Sequence, residues 1–189
     1  MKGKQLWTFA AAIALLTACQ VKSAPTSATP VTTEPTHTLV PDIKGLTLGM
    51  SPAALKSVQK NVECWEDESD SQYVTYQCRD LVFSYGSGKA QLHVTFKDDK
   101  AVLVRVYNLF GMTAEPIIYV LEKKLGPQLS AEEKNELRLA SRDPAWRGKD
   151  WLFTMSRDGI DNLPSFNLAT LQYVTESLER TEAKIASDI

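Results

Sequence analysis

Ala90-Gln91-Leu92-His93-Val94-Thr95-Phe96-Lys97, then Asp98-Asp99, then Lys100-Ala101-Val102-Leu103-Val104-Arg105-Val106 is the stretch whose reading decides the fold. Ala90, Leu92, Val94 and Phe96 alternate with Gln91, His93, Thr95 and Lys97, the period of a strand that buries one face. The polar run Lys97-Asp98-Asp99-Lys100 suits a turn, and Val102, Val104 and Val106 resume the alternation beyond it. The whole reads as an antiparallel hairpin with one apolar side. Upstream, 72–78 and 80–85 are expected as two more strands.

The period changes outside this meander. Ser51-Pro52 predicts a helix start, with Ser51 as N-cap, Pro52 in the first turn, and Leu55, Val58 and Val62 as the buried stripe. A second helix is expected from Thr113, with Ile117, Val120, Leu121 and Leu125 on one side and Gly126-Pro127 as terminator. Ser130 with Glu133 matches a capping box and predicts a third helix that ends before Pro144. Strands follow at 151–155 and 167–175, then a charged helix or tail at 176–187. The fold class expected is α+β, helices packed on an antiparallel β-sheet. The order of elements suggests two tandem helix-plus-sheet halves, 43–110 and 111–175.

The segment before this body reads differently. Lys2 and Lys4 precede an apolar run, 6–16, that is shorter than the roughly 20 residues of a membrane-spanning helix. Leu16-Thr17-Ala18-Cys19 resembles the lipobox of bacterial lipoproteins. That resemblance implies a signal peptide at 1–18 and diacylation of Cys19, whose sulfur is the nucleophile the thioether requires. Gln20 in place of Asp after the cysteine points to the outer membrane of a two-membrane host. Residues 19–42 are Pro- and Thr-rich, with Pro25, Pro30, Pro35 and Pro41 and few large apolar side chains, and are expected to be a tether. The folded domain is expected at 43–189. His37 falls on the tether, where nothing would orient it for catalysis.

The 189 residues carry 21 basic and 23 acidic side chains, with a pI near 5.7. No excess of positive charge is present to neutralise phosphates, which argues against a nucleic-acid partner. Apart from Cys19 the cysteines are Cys64 and Cys78, and an exported chain meets an oxidising compartment. A disulfide between them would close a loop of about fourteen residues, worth about 3 kcal/mol. Acidic Glu66, Asp67, Glu68 and Asp70 would lie on the enclosed loop.

Catalytic, metal and cofactor chemistry find little support. His93 is the histidine of the folded body, and no serine sits in a nucleophile elbow. Asp80, Asp158 and Asp161 offer carboxylates without a distinctive pairing. Residues 158–162 lack the closing glutamate of a calcium loop, and Gly86-Ser87-Gly88-Lys89 lacks the spacing of a phosphate loop. No catalytic, cofactor or metal residue is expected. The aromatic set, Trp65, Tyr73, Tyr76, Tyr107, Phe110, Trp146, Trp151 and Tyr173, exceeds what a small core hides with ease. Trp65, Tyr73, Tyr76, Trp146 and Trp151 are the candidate interface residues, Trp65 foremost.

Ile43-Lys44-Gly45-Leu46-Thr47-Leu48-Gly49-Met50-Ser51-Pro52 resembles the opening of small secreted and lipid-anchored bacterial domains in which helices pack on an antiparallel sheet. The outer-membrane assembly lipoproteins of the SmpA/OmlA (BamE) type and the β-lactamase inhibitor proteins share that design. The resemblance implies fold type only. The expectation, from the anchor and the missing catalytic groups, is a lipid-anchored envelope protein, facing the periplasm, that binds another protein as an assembly accessory or as an inhibitor or sensor. The alternatives are a binder of small ligands or cell-wall fragments and, third, a carboxylate-dependent hydrolase.

Overall fold

Two hydrogen bonds tie the opening motif to the hairpin that follows far along the chain. Gly49 N–H donates to Ala101 O at 2.8 Å, and Ala101 N–H donates to Met50 O at 2.9 Å. Gly49 can do this because its φ of 79° lies in the left-handed region, which disfavours a side chain. Just before it, Ile43 and Leu46 pair across a turn at Lys44-Gly45, and both are buried. In this computed structural model the described residues are 40–58, 63–69, 72–82, 89–107, 109, 113–140, 142–157 and 163–187. They belong to one compact unit, Thr33–Ile189.

The elements in chain order are α1 (Pro52–Val58), β1 (Cys64–Ser69), β2 (Val74–Val82), β3 (Lys89–Lys97), β4 (Lys100–Tyr107), α2 (Ala114–Leu125), α3 (Ala131–Glu136), β5 (Ala145–Arg147), β6 (Trp151–Arg157), β7 (Pro164–Thr170) and α4 (Leu171–Ser187). Among the described residues the strands form one seven-stranded sheet, ordered β1-β2-β3-β4-β7-β6-β5, with every neighbouring pair antiparallel. The fold is α+β. Two meanders, β1 to β4 and β5 to β7, meet through their last strands, so both expected halves contribute to a single sheet.

The β3–β4 hairpin turns on Asp98 and Asp99, whose φ values of 50° and 56° give the two-residue turn that matches strand twist. Its apolar side is the core. Leu92, Val94, Val104, Val106 and Leu168 are fully buried, with Phe96, Phe153, Met155 and Phe166 beside them. Each such side chain contributes about 1.5–3 kcal/mol of burial. Against this face pack Leu55 of α1 and the stripe Ala114, Ile117, Ile118, Leu121 and Leu125 of α2. Ser51 Oγ accepts the Ala54 N–H, and the capping box of α3 is complete, Ser130 Oγ taking Glu133 N–H and Glu133 Oε2 taking Ser130 N–H.

Several expectations change. Val58 and Val120 are exposed; Val120 lies roughly a third of a turn from the α2 stripe. The stretches 72–78 and 80–85 are not two strands, because β2 runs through from Val74 to Val82 with an irregularity between Cys78 and Leu81. The cystine-bounded segment is not an acidic loop: Cys64–Ser69 is edge strand β1, paired with β2. Strand 167–175 stops at Thr170, whose Oγ1 accepts the Tyr173 N–H and starts α4. β5 had no strand signal of its own. Val62, Asp70, Phe110 and the segments 1–39, 86–88 and 158–162, with Cys19, His37, Asp158 and Asp161, lie outside the described residues, as does the side chain of Asp80.

Candidate functional site

The register places one residue from each strand in a single row on the face turned away from α1 and α2. Trp65, Gln77, His93, Arg105, Asn167, Thr154 and Ala145 are successive cross-strand partners. At ordinary strand spacing the row is on the order of 30 Å long. The residues from Trp65 to Thr154 are all half-buried. A second row, Thr75, Thr95, Leu103, Ala169, Leu152 and Arg147, runs beside it. Thr95, Ala169 and Leu152 are buried, and α4 lines one recess with Thr75 and Thr95 and another with Arg147. α4 therefore crosses this face over the second row and leaves the first partly accessible from Trp65 to Thr154, with Ala145 buried.

The accessible row is organised by arginine and aromatic pairs. The Arg79 guanidinium sits 4.8 Å from the Trp65 ring centre, and that of Arg105 sits 5.7 Å from the Tyr107 ring. Tyr107 Oη meets His93 Nε2 at 2.7 Å and accepts a hydrogen bond from Gln77 Nε2 at 3.3 Å. Burial, reinforced by Asp67 nearby, raises the Tyr107 phenol above its ordinary value, so it stays protonated and able to donate. Asn167 Nδ2 reaches Thr154 Oγ1 at 3.3 Å.

A tighter cluster pins α4 at the edge of this row. Tyr73 Oη donates to Glu176 Oε2, Lys97 Nζ bonds both Glu176 oxygens at 2.8 and 2.9 Å, and Gln172 Nε2 adds a bond at 2.8 Å. Hydrogen bonds from Lys97, Tyr73 and Gln172, in that order, hold the Glu176 carboxyl down at about 2. The Glu176 hydrogen bond raises Lys97, and burial, followed by the bond to Glu176, raises Tyr73. Arg180 stacks 4.1 Å from the Tyr73 ring centre, and Tyr173 meets that ring edge-on at 5.5 Å.

The five candidate interface residues are not brought together. Trp65 lies on the accessible face. Tyr73 is buried beneath α4, and Tyr76 points to the helix side, edge-on to Phe96 at 5.7 Å. Trp146 and Trp151 are 1% and 2% exposed, so they are core residues and offer no contact surface; Trp146 Nε1 donates to Gly126 O at 3.0 Å. Cys64 and Cys78 are disulfide-bonded and face one another across β1 and β2, with Cα atoms 4.1 Å apart. Gln77, Arg79, Arg105 and Asn167 escaped the sequence reading. A two-residue turn at Asp98-Asp99 alone would set His93 opposite Val104; the irregularity between Thr95 and Phe96 moves its partner to Arg105, and nothing in the sequence marks that shift. Among the described residues no group of three or more His, Cys, Asp or Glu could hold a metal ion, and no helix is long and apolar enough to cross a membrane.

No family model, no curated protein and no solved structure matches the chain.

Proposed function

We propose that this chain is a lipid-anchored protein of the bacterial cell envelope whose folded body binds another protein through the accessible face of its sheet, without a catalytic step of its own. The observation that carries the reading is the group Trp65, Arg79, Arg105 and Tyr107 on that face. Tryptophan, tyrosine and arginine dominate the energetics of protein interfaces. Here they are already stacked in pairs, so less side-chain freedom is lost on contact. The row between them, Gln77, His93 and Asn167, supplies hydrogen-bonding groups along the sheet. The lipobox-like Leu16-Thr17-Ala18-Cys19 supports an anchor at Cys19, and the Pro- and Thr-rich residues after it support a tether that would hold the body off the outer membrane.

The test is site-specific photo-crosslinking in intact cells. A photoreactive residue at Gln77 is expected to capture a discrete envelope protein, and the same residue at Glu115, exposed on α2, is not. Trp65→Ala and Arg105→Glu should abolish the adduct while the protein stays folded and abundant. Cys19→Ala should remove acyl labelling and weaken capture. No specific adduct from Gln77 in folded, normally abundant protein overturns the reading.

A further inference from the structure

A recess of about 370 Å³ lies between α3 and α4, at the low end of the 300–1,000 Å³ usual for small-molecule sites. Leu171, Val174 and Leu178 form its apolar wall. Arg147 lines it from edge strand β5, and the Arg147 Nε is shielded from solvent with no hydrogen-bond partner among the described residues. Leaving that shielded Nε–H unmatched is costly. The neighbouring carboxylates do not meet it. Hydrogen bonds with Ser130 lower the Glu133 pKa most and the Arg147 charge adds a smaller part, so Glu133 is near Arg147 without bonding it. Arg138, the other cation of the recess, is paired with Glu182.

The recess is lined by charges of both signs. Arg147, on β5, is separated by β6 from Ala169 of β7 and shares the recess with Leu171, the first residue of α4. Glu179 lies about 12 Å further along α4 and also lines the recess, as does Glu136 at the end of α3. Cation, apolar wall and carboxylates thus line one recess.

We propose that this recess binds the C-terminal end of a short peptide, with the α-carboxylate on Arg147, an apolar side chain against Leu171, Val174 and Leu178, and the peptide's N–H groups or amine at Glu179 and Glu136. A fatty acid would satisfy Arg147 and the apolar wall but not the carboxylates. The site is separate from the Trp65 row, and the proposal stands independently of protein binding there.

The test titrates the full chain with acetyl-Ala-Ala-Leu, with its C-terminal amide and with decanoate, reading the methyl resonances of Leu171, Val174 and Leu178. The free acid is expected to shift them, and the amide to bind at least tenfold more weakly. Arg147→Gln should erase the difference between acid and amide with the backbone spectrum otherwise retained. Arg147→Lys, which keeps the charge without the fork, should retain part of it. Leu178→Asp, on a helix without buried residues, should abolish binding of both peptides. Equal binding of acid and amide, response to decanoate alone, or no response to any probe overturns the proposal.

Discussion

Gly148 shows how much a single position can fix. A Cβ built there would fall inside the indole of Trp151, a buried and rigid side chain, so a methyl group has no room. Gly148→Ala should destabilise by about 3 kcal/mol, read from the urea midpoint. Glu176 fixes a position by charge instead. Its carboxyl titrates at about 2 in the folded protein against 4.5 when free. The stabilisation it gives is therefore complete above about pH 4.5 and is lost as the pH falls toward 2. Amide exchange in α4 should accelerate over that window, while β3 and β4 stay protected until lower pH. Glu176→Gln should flatten the response. Residue-scale features that depend on near neighbours were readable, as at Ser51 and in the Ser130–Glu133 capping box. Trp146 and Trp65 were not separable in that way. Which side of a sheet a tryptophan faces depends on strand parity, and parity depends on partners far along the chain.

The best-read element was the β3–β4 hairpin, because alternation and a polar turn coincide there. Its Asp98-Asp99 turn holds two side-chain-bearing residues in the left-handed region. Asp99→Gly should relieve that cost and raise stability by up to about 1 kcal/mol, measured by thermal unfolding. β1 was misread because Glu66, Asp67 and Glu68 look like loop residues. At a sheet edge charges such as Glu66 and Asp67 are compatible with a strand, since they discourage pairing with another chain. The boundary between β7 and α4 was missed for a different reason. Short apolar runs such as Leu171 to Val174 carry no decisive period, and the Thr170 side chain supplies the switch to helix.

At the scale of the molecule the α+β class followed from the order of periods along the chain, whereas the joining of two meanders into one sheet did not. β4 and β7 are each a satisfactory strand alone, and nothing local states that they pair. The accessible row was hidden for the same reason, since it exists only once six registers are set. Reduction of Cys64–Cys78 should lower stability by about 3 kcal/mol, read as a drop in the urea midpoint of the reduced protein. The cystine lies wholly within the first meander, and it pairs adjacent strands that are finished before β7 is made. This gives the protein a timetable. A chain emerging from its N-terminus can lock the β1–β2 hairpin while the centre of the sheet is still missing. The slow event is then the arrival of β7 beside β4, more than fifty residues later, and until it comes the exposed edge of β4 is where a second chain would be caught by mistake.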